Sequence, residues 1–223
     1  MRKVFFLTLI IFATFIFAYN YTFYDLGIAH QISKIEDKPL LIYFSSPSCV
    51  YCKKFENEVL TSEDFQQILR ASYVFAKINP NTQKTTFMSE EFTNMELFSA
   101  FGVRGTPTFV FLYMDSGITS IPGYMSLEDF KKALMYILKV TFENYKESFQ
   151  TYSKQKDFCL GKSKIIKVSK EDFDLVKEMD KNSVELKEIK DKIDIYKTYL
   201  TNSREIADKL FEKGVLRILL LED

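Results

Sequence analysis

Cys49 and Cys52 stand two residues apart in the stretch SSPSCVYCKKF, residues 45–55, and are two of the three cysteines in a chain of 223 residues. A thiol pair with this spacing can ligate a metal, close a structural disulfide or exchange disulfides with another molecule. The setting of the pair weighs these against one another. Leu40–Phe44 is a continuous apolar run that reads as a buried strand, residues 45–48 break it, and Cys49 opens the next helix. A helix N-terminus presents unpaired N–H groups and about half a positive charge, which favours thiolate over thiol. Cys49 is therefore the expected nucleophile, and Cys52, one turn on and more buried, the resolving thiol that attacks a mixed disulfide. Lys53 and Lys54 add positive charge nearby, or simply form a solvated helix face. A metal reading also exists on paper, since Cys49, Cys52, Cys159 and His30 make up a Cys3His zinc set. It requires four groups from three segments to converge. Taken singly, Cys159 is a small apolar junction residue or a free thiol, and His30 an ordinary helical residue.

The compartment bears on which chemistry is open to the pair. Arg2 and Lys3 precede a mostly apolar run from Val4 to Ala18, the pattern of a secretory signal peptide with a mature start near Tyr19. The run is shorter than the roughly 20 residues of a spanning helix, so a permanent N-terminal anchor is the second reading. Either way the cysteines meet an extracytoplasmic, periplasmic-type, oxidising environment. Charge points to no nucleic-acid partner: 30 Lys plus Arg balance 30 Asp plus Glu, and loss of Arg2 and Lys3 leaves a slight acidic excess. The 22 Phe and 13 Tyr, with no Trp, predict an aromatic-rich interior.

The elements that must position the pair are mixed α/β. Asp25–Glu36 reads as a helix stopped before Pro39, and a second helix after the cysteines starts at Thr61 or Ser62. Tyr73–Asn79 is a strand, Pro80–Met88 a loop, and Ser89 caps a helix ending at Gly102. Thr108–Tyr113 and Ile118–Ile121 form a hairpin, and Ser126 begins a long helix that runs on towards Lys156. Beyond Gly161 comes an alternation of strand 165–168, helix 170–179, strand 195–200, helix 202–213 and strand 215–220, which is the pattern of a small α/β unit. The division expected is residues 1–18 as signal peptide, 19–140 as the main domain, 141–160 as a helical linker and 161–223 as a small α/β domain of unknown role.

The strand, then Cys-Val-Tyr-Cys-Lys at 49–53, then Ala76-Lys77-Ile78-Asn79, then Gly102-Val103-Arg104-Gly105-Thr106-Pro107-Thr108-Phe109, resembles the thioredoxin superfamily over roughly residues 25–140. The likeness is closer to exported thioredoxin-like proteins of bacteria, including those linked to sulfur-oxidation systems. It implies the thioredoxin fold, a mixed central sheet flanked by helices. It also implies that Cys49 and Cys52 form a redox pair, that Pro107 is cis and faces them, and that Thr106 pairs its backbone with an extended client segment. Three departures stand out. Tyr43 occupies the place of the buried Asp that assists the second cysteine in thioredoxins; Lys77 matches the lysine that accompanies that Asp but has lost its acid partner; Tyr51 and Thr106 resemble periplasmic disulfide isomerases. Lys77 is then either a positive group behind the site or a lysine reaching solvent from a strand end.

The function expected is thiol-disulfide exchange outside the cytoplasm, in the reductive direction, on protein or small-molecule disulfides, with disulfide-containing client proteins and an unidentified redox partner that recharges the pair. No cofactor or metal is expected, and membrane contact only through the signal or an uncleaved anchor. An isomerase or oxidant, and a non-catalytic binding module with a structural disulfide, are the alternatives. At the C-terminus, residues 199–215 faintly resemble the closing β-α-β of rhodanese-like domains, with Leu200 where an active rhodanese has cysteine, so that unit is not expected to transfer sulfur.

Overall fold

Leu40–Phe44 is buried along its whole length, and both layers of the first unit are built on it. Alternation sends Leu40, Ile42 and Phe44 into one core and Leu41 and Tyr43 into another on the opposite face. The computed structural model describes residues 19–189 and 192–222; the expected signal segment lies outside them. In chain order the first unit runs β1 (Thr22–Phe23), α1 (Leu26–Ile35), β2 (Leu40–Phe44), α2 (Val50–Glu58), α3 (Glu63–Ser72), β3 (Val74–Ile78), β4 (Lys84–Phe87), β5 (Glu90–Thr93), α4 (Asn94–Ala100), β6 (Thr108–Tyr113), β7 (Ser116–Pro122) and α5 (Leu127–Glu143). Its sheet has the order β1-β3-β2-β6-β7, parallel through β1, β3 and β2 and antiparallel through β6 and β7. One face of β2 packs with residues of α1 and α4, the other with α2, α3 and α5. Among the described residues no helix is long and apolar enough to cross a membrane.

After α6 (Phe149–Tyr152), the second unit runs β8 (Lys164–Val168), α7 (Lys170–Met179), β9 (Ser183–Glu185), β10 (Thr198–Thr201), α8 (Arg204–Glu212) and β11 (Arg217–Leu221). Its four strands are all parallel in the order β8-β11-β10-β9. Tyr199, Ile218 and Leu220 pack with α8, while Leu200 and Leu219 turn the other way. There they join Val168, Phe173 and Val176 in the same core that holds Leu26, Ala29 and Ile32 of α1. The two units thus share one continuous apolar interior.

Polar groups are buried at that seam as well. Lys38 Nζ lies 2.7 Å from Glu36 Oε2, with both side chains almost fully enclosed, and Thr198 Oγ1 donates to Glu36 Oε2 at 3.0 Å. Arg217 spends its guanidinium on backbone oxygens of Glu36, Asp37, Lys162 and Leu216. Asp37 also receives Lys164 and the Tyr113 hydroxyl. Burial foremost, and then the Glu36 charge, push the Asp180 carboxyl from 3.8 up to about 8, which favours the protonated acid at neutral pH.

Several boundaries differ from the sequence reading, each for a local reason. The segment expected as a loop from Pro80 to Met88 pairs with Glu90–Thr93 as a hairpin, turned by Met88 and Ser89 at φ 50 and 69, the doubly left-handed geometry of a tight two-residue turn. α4 consequently starts at Asn94, with Thr93 and Glu96 forming its capping box, rather than after Ser89. The hairpin is seated on α1: Gly27 N donates to Thr85 Oγ1 at 3.0 Å, and a Cβ at Gly27 would stand 2.1 Å from the Thr86 carbonyl oxygen. The long helix does not reach Lys156. It stops at Glu143 because Asn144 takes the left-handed conformation at φ 53, and beyond it the stretch expected as a helical linker holds only the four residues of α6, capped by Ser148. The strand expected at 195–200 begins at Thr198, since Asp194 Oδ1 accepts the Tyr196 N–H at 3.1 Å and holds a turn there. The short strands β1 and β9 were not foreseen.

The raised Asp180 carboxyl ties stability to pH. An acid whose folded value lies above its unfolded one releases a proton on unfolding, so its contribution is greatest below about pH 4 and falls as pH rises through about 8. Urea midpoints should show this as a slope of at most about 1.4 kcal/mol per pH unit across that window. Asp180→Asn, which keeps the oxygen that accepts from Asn182 N, is expected to flatten it; an unchanged slope would place the proton elsewhere.

Candidate active site

Beyond Phe44 the chain leaves the sheet, turns through residues 45–48 and enters α2 with Cys49 as its N-cap. Cys49 and Cys52 are joined as a disulfide with Cα atoms 5.2 Å apart. Cys49 is half-buried, whereas Cys52 is 1% exposed, the asymmetry expected of a nucleophile and its resolving partner. The Cys52 N–H points at Cys49 Sγ at 3.0 Å, a donor placed to stabilise a thiolate.

The second wall comes from the segment before β6. The register of β2 against β6 sets Phe44 opposite Thr108, so the two loops leave the sheet side by side. The Thr106–Pro107 bond is cis, and the Thr106 carbonyl oxygen lies 3.2 Å from Cys49 Sγ. Thr108 Oγ1 donates to the Gly105 carbonyl at 2.7 Å and Gly123 N to the Pro107 carbonyl at 2.8 Å, which pins the loop from both sides. Pro107 is buried and Thr106 half-buried. A groove of about 400 Å3 opens along this loop, lined by Val103, Arg104, Thr106, Pro107, Ser120 and Pro122 among others.

What fixes α2 is aromatic packing. Phe55 is fully buried, with ring centroids 4.9 Å from Tyr43, 4.8 Å from Phe109 and 5.7 Å from Phe130. Tyr43 in turn stacks on Phe109 at 5.1 Å. The ring of Tyr43 thus fills the core, while its hydroxyl reaches a polar cluster behind Cys52.

That cluster contains the residue the sequence reading missed. Lys77 does have an acid partner: Glu56, whose Oε1 lies 2.7 Å from Lys77 Nζ. Tyr43 OH donates to the same oxygen at 3.0 Å, accepts from Ser45 Oγ at 3.0 Å, and sits 3.4 Å from the Cys52 carbonyl oxygen. Burial, and then the Glu56 charge, push the Tyr43 phenol far above its ordinary value, so it remains a donor. Glu56 follows Cys52 by four residues on α2, a spacing that puts Cβ atoms about 5–6 Å apart on one helix face. That spacing is the sequence signal for an acid supplied by the helix rather than by the strand, where Tyr43 stands.

The exposed surface beside Cys49 is apolar and aromatic. Val50 is 75% and Tyr51 60% exposed. Tyr51 faces Tyr124 at 6.5 Å, and Tyr124 donates to Glu58 at 2.8 Å under the ammonium of Lys54. His30 and Cys159 are not part of this site. His30 is buried on α1 with Nε2 3.0 Å from the Met114 carbonyl oxygen, and Cys159 is a free half-buried thiol pushed up chiefly by burial. Among the described residues no group of three or more His, Cys, Asp and Glu side chains could hold a metal, so the four zinc candidates do not converge. Leu200 is fully buried in the shared core.

Residues 28–138 match the model of the thioredoxin-like domain family, and this part of the chain belongs to the thioredoxin superfamily, whose members are generally thiol-disulfide oxidoreductases. Among solved structures, a thioredoxin-fold protein from Helicobacter pylori is similar at 20% identity over 58% of this chain and 93% of its own, with a TM-score of 0.49. A thioredoxin from Thermus thermophilus is similar at 21% identity over 56% of this chain and 96% of its own, TM-score 0.45. The DsbD C-terminal domain from Neisseria meningitidis, in its oxidised form, is similar at 18% identity over 46% and 83%, TM-score 0.36. No curated protein sequence matches the chain.

If Phe55 is the anchor of the cysteine helix, Phe55→Ala should lower unfolding free energy by about 3–5 kcal/mol in denaturant titration. A loss under about 1 kcal/mol would mean that α2 is held by something else.

Proposed function

We propose that the protein is an exported thiol-disulfide oxidoreductase that reduces disulfides of client proteins outside the cytoplasm, and that a dithiol partner then re-reduces it. The observation that carries this reading is the half-buried Cys49 sulfur at a helix N-terminus, 3.2 Å from the Thr106 carbonyl oxygen, with the enclosed Cys52 behind it. The reaction takes two steps. Cys49 thiolate attacks one sulfur of the client disulfide, forming a Cys49–client disulfide and releasing the other client sulfur as thiolate, which takes a proton from water. Cys52 then loses its proton and attacks Cys49 Sγ; the Cys49–Cys52 bond forms, the Cys49–client bond breaks, and the client leaves with two electrons gained. In that second step we assign to Glu56 the role of accepting the Cys52 proton: it follows Cys52 by one helical turn, and Lys77 and the Tyr43 and Ser45 hydroxyls hold its carboxylate. Thr106 and Pro107 dock an extended client segment beside Cys49. The apolar run at 4–18 behind Arg2 and Lys3 is what supports export.

Cys52→Ser is expected to trap clients on Cys49 as mixed disulfides stable to non-reducing electrophoresis, and Cys49→Ser to trap far fewer. A Cys52→Ser protein that traps nothing would favour the non-catalytic binding module. A redox titration separates the directions: a midpoint near about −270 mV marks a reductase, one at about −180 to −120 mV an isomerase or oxidant. For Glu56→Gln, resolution of a preformed Cys49 mixed disulfide should slow about 10–100-fold near pH 7 and recover at higher pH, where Cys52 ionises unaided. Alkylation of Cys49 in the reduced protein reports the first step, and Glu56→Asp should restore part of the rate. An unaltered pH profile in Glu56→Gln would remove Glu56 from the proton path.

A further inference from the structure

The charged groups around the cysteine pair fall into two sets. Those behind it or beside Tyr124 are matched: Lys77 with Glu56, and Lys54 with Glu58 at 3.9 Å, whose carboxylate also takes the Tyr124 hydroxyl. Those on the client side are not. Arg104 lines the 400 Å3 groove along the Thr106–Pro107 loop and is exposed; Lys53, one helical turn after Cys49, is exposed too. Among the described residues neither has an ion-pair or hydrogen-bond partner for its side chain, and no carboxylate lines that groove. In a chain with 30 basic and 30 acidic groups, the charge that lines this groove is the Arg104 cation alone.

We infer that the client-binding groove selects an acidic segment: an extended polypeptide carrying Asp or Glu within two or three residues of its reactive cysteine, paired with Arg104, with Lys53 on the first turn of α2 adding positive charge near Cys49. The inference rests on the proposed disulfide exchange and names its substrate class. Reach sets the position of the acid. A client cysteine bonded to Cys49 sits at the Thr106 carbonyl, and Arg104 is two residues from Thr106, at most about 7 Å along the chain. The guanidinium therefore meets a client side chain two or three positions from the sulfur. Val50 and Tyr51, which follow Cys49 directly and are exposed, offer an apolar surface to the client beside the sulfur. A cation in a groove walled by protein acts on approach as well as in the complex, because the field is focused there and is weakened by salt.

The test uses the full chain and three peptide disulfides of one sequence that differ only in the residues two positions either side of the cysteine: Asp, Ser or Lys. Reduction is followed with a dithiol supplied in excess. The Asp peptide is expected to give a kcat/KM about tenfold above the Lys peptide at low ionic strength, with the ratio falling towards one at about 0.5 M salt. Arg104→Ala should cut the ratio to about threefold or less, and Arg104→Glu should invert it. A ratio near one in the unaltered protein, or one that survives in the Arg104→Ala/Lys53→Ala double variant, overturns the inference. Failure to reduce even the Ser peptide would instead overturn the exchange activity on which it rests.

Discussion

The register of β2 against β6 is the constraint from which the site follows. Phe44 opposite Thr108 means that the strand end leading to Cys49 and the strand start following Pro107 lie side by side. The Cys49 sulfur meets the Thr106 carbonyl oxygen for that reason alone. A slip of one residue would turn Leu41 and Tyr43 towards the face that now takes Leu40, Ile42 and Phe44, and the aromatic core under α2 would be lost with the site. Chemistry and core packing are therefore set by one choice of pairing.

The same alternation explains the polar cluster behind Cys52. Tyr43 must point towards α2 because Ile42 and Phe44 point away, and its parallel neighbour at that level of the sheet is Lys77. A strand carboxylate in place of Tyr43 would have met the lysine across the sheet. Here the carboxylate comes from the helix, through Glu56, and reaches Lys77 beside the phenol hydroxyl. This ion pair is partly enclosed, and Tyr43 and Ser45 add hydrogen bonds to the same carboxylate oxygen, which hold it on the side of the sheet that carries α2.

The second unit is joined to the first away from the cysteine pair. Its contacts fall on α1, on Glu36, Asp37 and Lys38 before β2, and on Arg70 in the last turn of α3, which bonds Asn182 and Asp194. Apolar residues from both units form one core, and Arg217 is wrapped by carbonyl oxygens from either side of the seam. Buried charge of this kind contributes orientation more than free energy, since its desolvation offsets much of the attraction. The hairpin β4–β5 is likewise seated on α1 and packs Phe87 into the core opposite the cysteines, so it does not cover them.

How much of this could be read from residues alone follows the range of the interactions. Local signals were sufficient for β2, for the helix opening at Cys49, for the hairpin of β6 and β7 and for the alternating second unit, because period, caps and breakers act within a few residues. They failed where a backbone conformation depended on distant support: Met88 and Ser89 turn a hairpin only because Thr85 is anchored at Gly27, and a two-residue strand such as β1 exists only by pairing with β3. The sequence by itself determined the mixed α/β class and the placing of a closely spaced cysteine pair at the start of a helix, since these depend on residue type and spacing. Tertiary structure decided which acid pairs with Lys77, that Arg104 stands unmatched in the groove, and that the two units share a core. Those are matters of side chains far apart in the chain meeting in space, and no local pattern records them.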